Sequence, residues 1–568
     1  MLTALVLAGV PLRAQETSSP TPAPTPEITE EVATAASSAA TTAVAGERQV
    51  STLANPEPPP SNVPVADNAI HLSLDDAVTT ALRRNLGLLV ERYDRQQFHL
   101  RIAEALGIYD VGLGGQGYAT SETSPSTSRQ AGAGQVITTK DRNINLFGDQ
   151  LTPWGGVGTL TFNLFRRESN SRDLVLNPFF VNDLDLSLVQ PLLRNLGRAT
   201  TEHGIRVAHL NSGISRETFE TQVASTLQQV ENAYWNLVQA IRDVEVAKES
   251  LGLAQELHRM NKVRVDVGTL APLELVQSEV GIATREEGII TAQAAKDNAE
   301  DTLRQLLHLE DGELWNLPIV PTTAPETPPT EIDLAQAIAT AMTDRAELHS
   351  QKLQLDLRQL DVAFFRNQAR PRLDLTARYG YNGIGGTIRN PTTGEIIATG
   401  SASDAIRQVR QRDFNGWRLQ LDFAYPLQNR TARARVAIAD VNLEQGKTQM
   451  TQLEETVRTE VRRAVRGVRT AAQEIQSAGA STRLAEQNLD AERKRYENGL
   501  STSFQVLQIQ EDLTAARSRQ VAAIAGYRRA LAEYYRATGR LLAAEGVELD
   551  DPLRVDHLDR YGWGVGAR

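Results

Sequence analysis

Two short patterns in this sequence carry residue types that could do chemistry. Residues Gly112 to Gly117 read GLGGQG, with glycines close enough together to let a backbone approach a phosphate, and His203 and His209 are the closest pair among eight histidines. A dinucleotide site needs its glycine run to follow a strand and open a helix. Here the run lies inside VGLGGQGYA, which reads as a strand in its own right. Two histidines six apart do not share a helical face at ligand spacing. A zinc-binding HExxH, a serine nucleophile elbow and a phosphate-cradling GxxxxGK[ST] are absent from the sequence. Cysteine is absent as well, which removes thiolate nucleophiles, thiolate metal sites, disulfides and a lipid-bearing cysteine. The expectation is a protein with no catalytic residues, no metal site and no cofactor, and therefore not an enzyme.

Composition points the same way. Aromatic residues make up 5% of the 568 positions and apolar residues 41%, so Ala, Val and Leu must supply most of the burial, as in long helices. The net charge of −11 opposes nucleic-acid binding, which requires a basic face. Leu2 to Val10 form an apolar run followed by the small residue Ala14, which reads as a secretory signal over 1–14. Its positive start is missing, and the true start is expected upstream. No other stretch approaches the ~20 apolar residues of a membrane-spanning helix. A mature chain of this kind either stays in water or enters a membrane as strands.

The elements that must position any site are written twice. Residues 15–66 are a Pro/Ala/Thr/Ser-rich leader, expected to be disordered. A second proline-rich stretch, 317–331, separates a first repeat (67–316) from a second (332–545), with a tail over 546–568. Leu72, Leu74, Ala77, Val78 and Ala81 match Ile332, Leu334, Ala337, Ile338 and Ala341 at an offset of 260. Ser73 and Asp333 are suited to capping the short amphipathic helices that follow. LDLSLVQPLL from Leu184 matches LQLDFAYPLQ from Leu419, each an alternating strand stopped by a proline, Pro191 or Pro426.

Beyond each proline runs a proline-free helical segment, about Asn195 to Asp266 and Asn429 to Glu497, long enough for a helix of roughly 100 Å. In the first, Leu227, Val230, Tyr234, Leu237, Ile241 and Val244 form a heptad seam. Beside it Ala233, Ala240, Ala247 and Ala254 recur every seventh residue, and adding 231 gives Ala464, Ala471, Ala478 and Ala485. A simple antiparallel coiled coil needs one seam; two seams let each helix pack on two sides, as in a wall. Gly268 and Gly499, again 231 apart, break the long helices, and Pro272 or Ser503 starts the returning ones, to Leu309 and Leu542.

Strands are expected from Val111, Arg372 and in the two proline-stopped segments, giving four crossings per chain. Ser/Thr/Gly-rich loops fill the intervals, and a further strand, Gly155 to Phe165, is assigned to an extracellular hairpin so that the crossings stay even. Tyr118, Tyr379, Tyr381, Trp417 and Tyr425 near strand ends suit membrane interfaces. Four strands cannot close a barrel, and open edges in lipid cost several kcal/mol per unpaired group. If the sheet is in a membrane, copies of the chain must share it. The fold class expected is mainly α with transmembrane β: duplicated long helical hairpins forming an α-barrel, plus four strands per chain in a shared barrel.

This order, helix, strand pair, long helix, glycine turn, helix, twice over, resembles the TolC-like outer membrane efflux family across Leu72 to Leu542. The motifs that carry the resemblance are LSLDDAV, QPLLRNLG, VGTLAPLELV and YENGLSTSFQVLQ. The resemblance implies a homotrimeric passive export channel in outer-membrane lipid, its helices in the periplasm. It also implies docking of a periplasmic adaptor and an inner-membrane transporter at tip turns made by Gly268, Thr269 and Leu270 and by Gly499, Leu500 and Ser501. A gate is implied at Tyr496, with Glu274 as its carboxylate partner; Ser501 stands where the family carries an arginine. Gln505 and Gln508 stand where some members carry an acidic ring. The alternative, a periplasmic adaptor or coiled-coil scaffold, resembles one helical hairpin set in small β domains, whereas this chain has two hairpins. Cargo is left open between drug, metal and protein.

Overall fold

The computed structural model describes residues 65–66, 68–125, 136–171, 174–309, 314–327, 331–390, 393, 395–547 and 549. The expected signal segment, nearly all of the leader and most of the tail lie outside them.

The first element is a small sheet. Strands β1 (Val65–Ala66) and β2 (Ala69–Leu72) pair antiparallel, and β2 pairs parallel with β7 (Ile319–Pro321), which comes from the proline-rich stretch between the repeats. Helix α1 (Leu74–Arg84) starts at Ser73, whose hydroxyl accepts from the Asp76 amide in a capping box, and buries Leu74, Ala77, Val78 and Ala81. Helix α2 (Leu86–Leu106) follows. After four strands come a single turn, α3 (Arg198–Thr201), then α4 (His203–Asp266) and α5 (Pro272–Leu307). The second repeat runs α6 (Leu334–Asp344), α7 (Ala346–Gln368), two strands, a short helix, α8 (Ala402–Gln411), and a third strand. It ends with α9 (Arg430–Glu497), α10 (Ser503–Ala537) and the single turn α11 (Leu541–Ala544). Asp333 caps α6 as Ser73 caps α1, accepting from the amides of Ala335 and Gln336.

The 64 residues of α4 and 68 of α9 give helices of about 100 Å. Helix α4 packs against α5 on one side and α10 on the other, and α10 packs in turn on α9. The two seams explain this: Leu227, Val230, Tyr234, Leu237 and Val244 are buried, and so are Ala233, Ala254, Ala464 and Ala471 of the alanine rows. Tyr234 ties the wall to the small sheet, because its hydroxyl donates to Leu72 O and accepts from Thr323 N, both at 3.1 Å.

One buried group in this core is ionisable and unpaired. Glu231 is buried beside Trp235 on α4, with no partner for Oε1 among the described residues. Burial, reinforced by Glu545 and partly opposed by Arg528, pushes its carboxyl from 4.5 to about 8. A raised folded-state value means that folding takes up a proton. The resulting stability is complete below pH 4.5 and is lost as pH rises through 8, by roughly 3 kcal/mol between pH 5 and 8. Glu231→Gln is therefore expected to flatten the fall in melting temperature between those pH values in detergent. A variant with the parent's pH dependence would count against this assignment.

The second sheet departs from expectation. Its order is β10 (Phe414–Ala424), β8 (Arg372–Arg389), β6 (Leu176–Pro191), β5 (Val157–Ser169), β4 (Val136–Leu151) and β3 (Gly112–Pro125), with β9 (Ile396–Ala398) paired to β8. All neighbours are antiparallel. Six long strands are present, not four. The segment Gly155 to Phe165 is not part of an outlying hairpin: β5 is paired along its length between β4 and β6. The turn before it lies at the helix end of the sheet, where Trp154 O accepts from Gly197 N at 3.2 Å. The number of long strands stays even, because β4, in a segment read as a loop, pairs along both β3 and β5.

Candidate functional site

The two glycine turns close the hairpins identically. Gly268 and Gly499 adopt φ of +74° and +73°, which a side chain would strain. Thr269 N donates to Arg264 O at 2.8 Å and Leu500 N to Arg495 O at 2.9 Å, the six-to-one bond of a Schellman end, in both cases at the 231-residue offset. Thr269 and Leu500 are exposed and Leu270 and Ser501 half-buried. Around them Val263, Val267, Leu273 and Phe504 are also exposed, so the tip offers apolar surface.

Below the turns, the side chains linking the two hairpins break that symmetry. Tyr496 is 2% exposed, and its hydroxyl donates to Asn261 Oδ1 at 2.5 Å and lies 3.1 Å from Ser503 Oγ. Asn261 Nδ2 reaches Ser503 Oγ at 3.0 Å. Arg264 stacks its guanidinium 4.7 Å from the centre of the Tyr496 ring and donates to the carbonyls of Tyr496 and Glu497 at 3.0 and 3.1 Å. These are terminal carbonyls of α9, where a cation also meets the negative end of the helix dipole. The counterparts of Asn261 and Tyr496 at the 231 offset are Glu492 and Val265, so no second copy of this network exists. Glu492 is buried too, held by Arg495 at 3.1 Å and by the Ser501 hydroxyl.

The structure brings Tyr496 to the centre of the tip but does not pair it with Glu274. That carboxylate leaves Oε2 without a partner, and only the Glu274 backbone carbonyl is reached, by Asn261 Nδ2 at 3.4 Å. The reason is geometric. Glu274 sits in the first turn of α5, while Asn261, two helical turns before Gly268, projects from α4 directly at the tyrosine. Gln505 and Gln508 are exposed on α10, outside the network. Sequence reasoning missed Asn261, Arg264 and Ser503. A polar Asn buried near the end of an otherwise heptad-packed helix was the available signal.

The six-stranded sheet has two unlike faces. Partners in register share a face and neighbours along a strand alternate. One face carries Ile144 and Leu146 of β4, Leu160, Phe162 and Leu164 of β5, and Leu184, Leu186 and Leu188 of β6. It continues through Tyr379 and Tyr381 of β8 to Trp417, Leu419, Leu421 and Phe423 of β10. The opposite face carries Asp141, Asn143, Asn145, Asn163, Arg167, Asp183, Asp185 and Arg378, with Tyr118 among them. There Arg167 grips Asp141 with two hydrogen bonds of 2.8 Å. An apolar face backed by a polar one is the pattern of strands between lipid and water. Among the described residues no helix is long and apolar enough to cross a membrane, and no cluster could hold a metal ion.

The family model described as outer membrane efflux protein matches residues 186–308 and 337–540, more than half of the chain. The chain belongs to that family. Solved structures agree on the fold. The outer membrane channel CmeC of Campylobacter jejuni superposes with a TM-score of 0.60 at 16% identity, covering 85% of this chain and 90% of that one. VceC of Vibrio cholerae gives 0.58 at 13%, covering 82% and 96%. The open-state MtrE channel of Neisseria gonorrhoeae gives 0.56 at 15%, covering 82% and 89%. A comparison with curated protein sequences finds no match. Membership makes this efflux protein an outer-membrane export channel, and neither its family nor its structural neighbours are enzymes.

Proposed function

We propose that three copies of this efflux protein close a passive duct, its sheets in the outer membrane and its helical wall in the periplasm. A periplasmic adaptor and an inner-membrane pump would engage the tips at Gly268–Leu270 and Gly499–Ser501. One observation carries the assembly: the helical wall is left open. Leu273, Val276, Val280 and Ile290 lie along one edge of α5 at heptad positions and are 66, 54, 61 and 70% exposed. On α9, at the other edge of the wall, Ser477, Leu484 and Ala491 are exposed at intervals of seven. The sheet is open at β3 and β10 in the same way. One neighbour on each side would cover the helical seams and pair the strand edges together.

The exposed apolar side chains at the tip support docking of a helical partner there. Residue roles at the tip follow the network observed: Tyr496 and Arg264 hold the two hairpins together, and Ser501 occupies the place of the family's arginine. The signal segment, leader and two-repeat division read from the sequence belong to the same proposal. Cargo would be selected by the pump.

Electron microscopy of the detergent-extracted protein tests this reading. The expected particle is a threefold ring continuing into a helical tube of roughly 100 Å. Compact particles, or rods without a pore, would mean an adaptor or scaffold instead.

A further inference from the structure

We propose that β4 and β5 are barrel strands, so that each chain contributes six crossings and three chains close a barrel of eighteen, with β10 of one copy paired to β3 of the next. This rests on the three-copy duct proposed above. The alternative is that β4 and β5 form a hairpin projecting beyond the membrane above a four-strand set.

Register excludes such a projection. The β3–β4 pairing brings Asp149 opposite Gly112, the first residue of β3, and the β5–β6 pairing brings Val157 opposite Val189, two residues from the end of β6. The turn between β4 and β5 therefore reaches the level at which the helices begin, and both strands run the full height of the sheet. The apolar band runs through them without a gap: Ile144 and Leu146 stand opposite Leu164 and Phe162, and Phe162 opposite Leu184. Their other face is polar like that of the remaining strands, and Arg167 is paired there with Asp141. A hairpin surrounded by water on both faces has no need of that band.

Closure is chemically consistent. Six is even, so β3 runs away from the helices and β10 runs toward them, and the two outer edges of neighbouring copies meet antiparallel like every other pair in the sheet. Leaving these edges unpaired in lipid would cost several kcal/mol for each open backbone group. Size is consistent as well. With strands ~4.8 Å apart and tilted ~40°, eighteen give a barrel about 36 Å across and twelve about 24 Å. Four wall helices per chain, twelve in all at about 9 Å spacing, ring a tube of about 34 Å. The six-strand contribution makes the membrane outlet as wide as the helical tube, and the duct does not taper where it crosses the lipid.

The chain has no cysteine, so single reporters can be placed cleanly. Leu146→Cys, Phe162→Cys, Leu186→Cys and Asn163→Cys would each be labelled with an environment-sensitive fluorophore and reconstituted in vesicles containing lipids brominated on their acyl chains. Quenching at 146 and 162 is expected to equal that at 186 and to exceed that at 163 several-fold. If 186 is quenched while 146 and 162 behave like 163, β4 and β5 lie outside the membrane and the inference falls while the duct stands. If 186 itself is no better quenched than 163, the placement of the whole sheet in lipid fails with it. A reconstruction of the particle gives the independent count: eighteen strands uphold the inference and twelve overturn it.

Discussion

Tyr496→Phe combined with Arg264→Ala is expected to raise single-channel conductance in planar bilayers several-fold, with Glu274→Ala alone leaving it at the parent value. The first substitution removes the hydroxyl shared with Asn261 and Ser503, and the second removes two hydrogen bonds to the carbonyls of α9 and the stack on the ring. Charge-assisted bonds contribute about 1.5–3 kcal/mol each and neutral ones about 1. If the tip is the proposed gate, losing them would shift it toward the open form by a few kcal/mol, and each 1.4 kcal/mol is about tenfold in the ratio of closed to open. The Tyr496 hydroxyl bonds to Asn261 and Ser503 and not to Glu274, which is why the loss of Glu274 should be silent. A conductance rise in Glu274→Ala, or none in the double variant, would place the constriction elsewhere.

The second large effect concerns assembly. Val280→Asp with Ile290→Asp is expected to leave the protein monomeric in detergent and to abolish channels in bilayers. Both side chains are exposed in the single chain, so its own fold should tolerate the change. In an assembled wall each would bury a charge without a partner, at a cost of several kcal/mol per site in every interface. Light scattering in line with size exclusion gives the mass. Oligomers of unchanged mass would show that α5 faces solvent, and that the wall closes by another surface.

What could be read in advance was what is local and repeated. The heptad and alanine rows located α4 and α9 because burial on a helix recurs at a fixed interval, and the 231-residue offset carried both glycine turns. Ser73 and Asp333 marked helix starts because a cap is a property of a few adjacent residues. Strand β4 was not legible. Its stretch TTKDRNIN shows charge and amide on both faces outside Ile144 and Leu146, since one face is polar and the other carries Lys140 and Arg142 as well. Alternation too short to stand out looked like a loop. The partners of Tyr496 were hidden for another reason. Asn261 lies 235 residues away in the chain, and the match between repeats predicts symmetry at the one place where the tip has none.

That asymmetry bears on how a closed end would yield. The bonds that join the two hairpins at the tip, Asn261 with Tyr496 and Ser503 and Arg264 with the end of α9, lie within a single chain. Each subunit therefore carries a latch of its own. An end built from such parts would behave as an iris of independent leaves, passing through intermediate openings as latches release one at a time. A partner touching one subunit would then widen the mouth by a fraction, without committing the others.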